Sequence, residues 1–347
     1  MNGRDSWLVY GANGYTGRLV ADEAKRRGMT PILAGRREDA VRPLAERLGL
    51  AWRAFDLSPA ALRAGIDGVR AVLLCAGPFA VTSAPVVDAC LAAGVHYLDI
   101  TGEIDVFEAC AARGAAAERA GAVVLPGVGF DVVPSDCLAL RLKEALPDAT
   151  HLELAFYGEG PPSAGTAKTA VDGLVLGGRE RRDGKIVDAP LGKRQLDVPF
   201  TSGVRRTVSI PWGDVATAYR STGIPNIVVY TVMPASLVRL VPILRPALRV
   251  GAIRRAILRR IERTVHGPDE AMRGRVRSHL WGRVINAAGT TRTGTLDAPE
   301  GYALTAATAV ECVRRVMDGK VRPGYTTPAM AFGSGFIAEF PGCTFSP

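Results

Sequence analysis

The residues with the clearest chemical purpose are three glycines near the amino terminus and a pair of arginines downstream of them. Gly11-Ala12-Asn13-Gly14-Tyr15-Thr16-Gly17 comes directly after the apolar run Trp7–Tyr10 and opens a helix-like segment that reaches about Arg27. Strand, glycine turn and helix in that order aim free backbone N–H groups, and the positive end of the helix dipole, at an anion. Gly11 suits the tight turn, Gly14 lets the backbone approach a pyrophosphate, and Gly17 lets the helix pack close to the strand. The spacing is G-x-x-G-x-x-G, a variant of the dinucleotide-binding G-x-G-x-x-G. By itself such a turn also occurs without a ligand, so the next element decides.

Thr30–Ala34 reads as a second strand and ends in Gly35-Arg36-Arg37. A domain that binds NAD places an acid roughly 20 residues past the glycine turn to accept from the ribose 2′-hydroxyl. Two arginines stand there instead. A guanidinium pairs with a 2′-phosphate, so the expected cofactor is NADP(H); a solvated basic loop is the competing reading. The third strand, Ala51–Asp56, ends on an acid that can lie beside the adenine. The fourth, Val69–Cys75, ends in Ala76-Gly77-Pro78-Phe79, whose small residues leave room where a dinucleotide crosses the sheet edge.

Hydride transfer asks a protein for orientation and for one group that gives or takes a proton. Tyr97, Asp99 and Glu103 belong to the fifth strand and the turn after it, and Asp131, Ser135 and Asp136 come after the sixth. Asp99 and Asp131 stand next to glycine-rich turns, as cleft residues would. Ser135 and Asp136 precede the apolar run Cys137–Leu140, which favours helix capping for at least one of them. Asp131 and Glu103 rank first as pocket residues. Tyr97, Lys168 and Tyr157 are further proton donors, although a lysine on a helix is commonly just solvated. Arg205, Arg206 and Arg220 are available to hold substrate carboxylates. These groups are expected where two domains meet.

The elements that must position these residues alternate. Beyond the strands above, helix-like stretches cover Asp39–Leu48, Pro59–Ile66, Pro85–Ala93 and Asp105–Arg119, and His96–Ile100 and Ala122–Leu125 are the fifth and sixth strands. That rhythm predicts a parallel, doubly wound sheet with ligands beyond the carboxyl ends of its strands. From His151 the pattern changes. His151–Tyr157, Val204–Ile210 and Ile227–Met233 alternate as half-buried strands, Arg283–Thr290 with Thr293–Leu296 forms a hairpin, and Gly165–Leu176 is helical, which predicts a mainly antiparallel sheet. Ser236–Val265 holds eight arginines and one acid, Glu262, with apolar residues mostly four apart. That is a basic amphipathic helix, packed on its own domain or presented to a partner.

Composition narrows the class. At 347 residues and 48% hydrophobic content the chain has material for two domains. Cys75, Cys90, Cys110, Cys137, Cys312 and Cys343 form no C-x-x-C pair and read as reduced thiols. His96, His151, His266 and His279 have no ligand spacing, so no metal is expected. No apolar run of about 18 residues suggests a membrane span, no leader is seen, and the cytoplasm is the expected location, with peripheral membrane contact as a variant. The net charge of +9 favours anionic partners: a phosphorylated cofactor, an acidic carrier protein or an anionic membrane surface, the last two through Arg239–Arg263. No nucleic-acid module accompanies the charge.

Together, GANGYTG, AGRR, CAGPF, Gly94–Glu103 and Gly129–Asp136 resemble the saccharopine dehydrogenase-like oxidoreductases, and within them the bacterial branch that includes trans-acting enoyl reductases. The resemblance resumes at Gly301–Ala306 and Thr327–Gly333. It implies a Rossmann domain over residues 1–130, an inserted α+β domain for substrate binding and dimerisation over 131–325, and a segment 326–347 that returns to the first domain. It also implies NADP(H) and redox chemistry. The leading expectation is a reductase of an activated C=C bond on an enoyl or acyl substrate that is a small molecule or is bound to a carrier or to coenzyme A. A saccharopine-type amine or imine dehydrogenase and a non-catalytic NADP-binding module at a membrane are the rivals.

Overall fold

The computed structural model describes residues 6–233, 248 and 250–346. The chain divides into two compact units: Met1–Val133 with Tyr302–Phe332, and Pro134–Gly301 with Gly333–Pro347.

In the first unit strands and helices alternate: β1 (Trp7–Tyr10), α1 (Tyr15–Arg26), β2 (Ile32–Gly35), α2 (Glu38–Leu48), β3 (Trp52–Ala54), α3 (Pro59–Gly65), β4 (Ala71–Leu74), α4 (Phe79–Ala93), β5 (His96–Asp99), α5 (Ile104–Ala112), α6 (Gly114–Arg119) and β6 (Val123–Leu125). With the two-residue strand Gly324–Tyr325 they form a sheet in the order Gly324–Tyr325, β6, β5, β4, β1, β2, β3. Every pairing is parallel. β1 and β4 are buried along their whole length, because helices cover both faces of a parallel sheet, and this is why they read as unbroken apolar runs. α1 buries Gly17, Val20, Ala21 and Ala24, one stripe at helical spacing. The strand order changes direction between β1 and β4, which is where such sheets bind ligands.

Two helix boundaries differ from the expected ones. α4 begins at Phe79, six residues before Pro85, which lies inside it. The expected single helix Asp105–Arg119 breaks at Arg113, which ends α5 and starts α6.

The second unit carries α7 (Val133–Ala145), β7 (Ala149–Gly158), α8 (Ala164–Leu176), β8 (Gly178–Arg182), β9 (Lys185–Ala189), β10 (Gln195–Phe200), β11 (Gly203–Ile210), α9 (Asp214–Thr222), β12 (Asn226–Val232), β13 (Ser278–Asn286) and β14 (Thr291–Ala298). Its sheet runs β10, β11, β12, β7, β13, β14 and Thr344–Ser346, with the β8–β9 hairpin attached at β12. The β7–β12 pairing is parallel and the remaining described pairings are antiparallel. Ala155, Val198, Phe200, Tyr230 and Trp281 form a core on this sheet.

The expected domain limits need correction. The chain returns to the first unit at Tyr302, not 326, and leaves it after Phe332. The helix Gly301–Met317 buries Leu304, Ala309, Val313 and Val316, and Gly324–Tyr325 extends the parallel sheet at β6. The end of the chain instead pairs with β14. Of the basic stretch Ser236–Val265, residues 236–247 and 249 lie outside the described residues, and a helix spans Gly251–Thr264. No described helix is long and apolar enough to cross a membrane.

Candidate functional site: the carboxyl edge of the parallel sheet

The glycine turn is built for a close ligand. Gly11 has φ +87°, and a Cβ there would stand 2.8 Å from the Ala76 backbone nitrogen, so the turn needs glycine both for its conformation and for the β4 loop beside it. The N–H groups of Gly11 and Ala12 are satisfied by the Ala34 carbonyl at 2.8 and 3.1 Å. A Cβ on Gly17 would run into the Gly11 carbonyl and Ala12, so that glycine sets how closely α1 approaches the strand. The N-cap residue Gly14 offers α1 no side-chain cap, and the first turn holds no acidic residue. The first turn of α1 therefore carries no carboxylate of its own beside its N–H groups, which fits a pyrophosphate.

Beyond β2 the two arginines separate. The Arg37 guanidinium makes a two-pronged pair with Asp39, at 3.0 and 2.7 Å. Arg36 is exposed and makes no hydrogen bond or ion pair among the described residues. Its charge acts on the Tyr10 hydroxyl, which donates to the Phe55 carbonyl at 2.8 Å. Burial pushes that hydroxyl up to about 12, against the pull of Arg36. Asp56 accepts from the Ser58 backbone and hydroxyl at 2.9 and 2.6 Å, bonds that lower its pKa. Arg36 and Asp56 thus flank the ends of β2 and β3.

The motif after β5 ties neighbouring loops together. Glu103 accepts from the N–H groups of Phe79 and Ala80 at 2.9 and 2.8 Å, so it holds the start of α4 and the Ala76–Phe79 loop in place. Tyr97 is fully buried, and its hydroxyl donates to Asp99 Oδ2 at 2.6 Å. Asp99 is buried too, contrary to the expectation of a cleft position, and its Oδ1 accepts from the Thr101 and Gly127 N–H groups at 3.0 and 2.9 Å. Burial raises its carboxyl to about 6, although the Tyr97 hydroxyl and the two N–H groups pull the other way. Tyr97 therefore anchors a strand end and does not line a surface.

Asp131 is half-buried after β6, and a Cβ on Gly102 would come within 2.9 Å of its Oδ2. The carboxyl thus stands directly over the loop that leaves β5. The neighbouring Phe130 N–H donates to Thr305 Oγ1 at 2.9 Å, and the Thr308 hydroxyl donates to the Val128 carbonyl at 2.8 Å. Tyr302, on the same helix, meets Tyr15 edge-on, with ring centroids 5.0 Å apart. Nothing in the Gly301–Ala306 sequence marks Tyr302 or Thr305 for these roles, because their partners lie far away along the chain.

In the second unit, Lys168 Nζ pairs with Glu262 at 3.2 Å, joining α8 to the helix Gly251–Thr264. Tyr157 stacks on His279 and hydrogen-bonds Ser202. Arg206 pairs with Asp197 at 2.8 Å, and Arg205 lies over the Tyr157 ring. Ser135 and Asp136 lie inside α7, which starts at Val133, so neither is its N-cap; Asp136 is buried and accepts from Ser221 at 2.6 Å.

The glycine turn, the uncapped α1 and Arg36 coincide with a sequence match. Residues 7–125 fit the family model of the saccharopine dehydrogenase NADP binding domain. Those residues run from β1 to β6 of the first unit. The chain is also 34% identical over 147 residues to an Arabidopsis thaliana protein named probable mitochondrial saccharopine dehydrogenase-like oxidoreductase, across 37% of this chain and 32% of that protein. A trans-acting enoyl reductase of Mycobacterium bovis is 31% identical over 159 residues, 41% of this chain and 37% of its own. The chain thus matches less than half the length of these curated relatives. Among solved structures, apo saccharopine dehydrogenase (L-Glu forming) from Saccharomyces cerevisiae shares the fold, with a TM-score of 0.71 and 12% identity over 99% of both chains.

Proposed function

We propose that this saccharopine dehydrogenase-like protein is an NADP(H)-dependent oxidoreductase that reduces an activated C=C bond. The observation that carries the cofactor half is the exposed Arg36, unpaired among the described residues, one strand away from an uncapped, acid-free helix start. The substrate half is supported by the relatives named trans-acting enoyl reductase. Bound NADPH supplies a hydride, in this reading to the β-carbon of an enoyl thioester. The chain's own residues hold and orient: the glycine turn and α1 take the pyrophosphate, Arg36 takes the 2′-phosphate, and Glu103 fixes the loop after β4. Asp131 is the carboxyl at the strand ends that remains a candidate to handle the proton at the α-carbon.

An acidic carrier protein is the partner this reading favours. The helix Gly251–Thr264 buries none of its residues completely; Ile257, Leu258 and Ile261 are half-buried, whereas Arg255, Arg259, Arg260 and Arg263 are exposed. Its exposed arginines offer an acidic partner complementary charge, with the exposed Ile253 beside them.

NADPH oxidation followed with an enoyl thioester and, separately, with a keto acid plus an amino acid tests the reaction. Turnover with the thioester alone is expected. Turnover with the keto acid and amine alone makes it an imine reductase, and turnover with neither acceptor makes the protein a non-catalytic binder.

A further inference from the structure

The helix Gly301–Met317 runs beside α1 and in the same direction. Its Tyr302 packs on Tyr15, the first residue of α1, with the ring planes at 81°. Further along, Glu311 takes Arg27 at 3.2 Å, while Arg27 also binds Glu23 at 2.6 Å near the end of α1. Matched contacts at both ends leave Tyr302 level with the glycine turn, at the carboxyl edge of the sheet. Between Tyr302 and Glu311 on the same i, i+3 row, Thr305 and Thr308 fasten this helix to the loop after β6. A Cβ on Gly129 would come within 2.7 Å of Thr305 Cγ2, so this junction has no slack. The helix therefore reaches both the start of α1, after β1, and the loop after β6, and in the sheet order β6, β5, β4, β1, β2 the strands β4 and β5 lie between those two.

That placement has a consequence for a dinucleotide. Arg36, at the end of β2, takes the adenosine end, and the start of α1 takes the pyrophosphate. The nicotinamide riboside must then continue toward β4, β5 and β6, where Tyr15 and Tyr302 stand half-buried. We propose that the edge-to-face pair of Tyr302 and Tyr15 forms the wall that holds the nicotinamide riboside, so that Tyr302 positions the cofactor's reactive end without contacting its adenosine half. The proposal rests on the NADP(H) reading of the same site. It is a role for the ring rather than the hydroxyl, because aromatic faces and edges pack against a flat heterocycle in fixed geometry.

Titration of the full chain with NADPH and with adenosine 2′,5′-bisphosphate separates the two ends of the ligand. Tyr302→Ala is expected to weaken NADPH roughly tenfold and to leave the bisphosphate unchanged, and Tyr302→Phe to bind both as the parent does. Unchanged NADPH affinity in Tyr302→Ala overturns the proposal. So does an equal loss of both ligands, which would make Tyr302 a residue of domain stability, and so does loss of NADPH binding in Tyr302→Phe, which would move the role to the hydroxyl. If the parent binds neither ligand, the nucleotide reading fails first and this inference with it.

Discussion

The Tyr97 hydroxyl donates to Asp99 Oδ2 at 2.6 Å with both side chains fully buried. Asp99 titrates at about 6 because burial disfavours its charge, whereas an unfolded aspartate titrates at about 3.9. The folded state therefore binds the proton more tightly. Its stabilising contribution is complete below about pH 4 and is lost as the pH rises through 6. Asp99→Asn keeps an acceptor for the Thr101 and Gly127 N–H groups and removes the titration. Denaturant unfolding at pH 4.5 and 7.5 is expected to show the parent losing about 2 kcal/mol relative to Asp99→Asn over that interval. A constant difference between the two proteins would contradict the assignment.

Glu103 is expected to matter for stability more than for turnover. Its two oxygens serve the N–H groups of Phe79 and Ala80, so Glu103→Ala uncaps α4 at a cost of about 1–2 kcal/mol. Glu103→Gln keeps one acceptor oxygen and is expected to fall between. In steady-state assays Glu103→Gln should retain most of the parental kcat. A loss of about 100-fold, typical of a missing acid or base, would return Glu103 to catalysis.

The parallel unit was legible because its signals are local. β1 and β4 are apolar throughout, α1 carries its stripe, and the glycine turn marks the junction between a strand and a helix. Features with distant partners were hidden. α4 starts six residues earlier than its sequence suggests because the carboxylate that holds its first N–H groups is Glu103, on another loop. Tyr302 acquires meaning only when the chain returns beside α1. In the second unit β8 has the sequence Gly-Arg-Glu-Arg-Arg, which alternates no apolar residues. Its Glu180 is nevertheless buried, held by Arg182 and by Arg194 at 2.9 Å. Ion pairing, not hydrophobic pattern, places it there.

The glycines of the turn differ in what an added methyl would meet, and that ranks their substitutions. Gly17→Ala presses a carbon into the Gly11 carbonyl and Ala12 backbone, neither of which can swing away. A cost of about 2 kcal/mol or more is expected, along with lost NADPH binding as α1 shifts. Gly14→Ala meets the Gly11 oxygen at 3.2 Å and has extended dihedrals open to any residue, so it should unfold close to the parent. Equal midpoints for Gly17→Ala and the parent in chemical denaturation would mean that the close approach of α1 is not needed.

Arg36 and Arg37 adjoin in sequence but are unequal in the structure, and the difference predicts cofactor selectivity. Arg37 is already neutralised by Asp39, in a two-pronged geometry that engages both carboxylate oxygens. Arg36 has its charge available beside the ends of β2 and β3. Arg36→Asp removes a charge-assisted bond to the 2′-phosphate and adds repulsion, which should weaken NADPH by about 2–3 kcal/mol, roughly 100-fold. NADH, lacking that phosphate, should bind the variant as well as the parent or better, because an acid can accept from the ribose 2′-hydroxyl. Arg37→Ala should change the NADPH to NADH ratio only slightly. Titration of both cofactors against both variants decides it: if Arg36→Asp binds NADPH like the parent while Arg37→Ala loses it, the 2′-phosphate contact belongs to Arg37 and the Asp39 pair must open to make it.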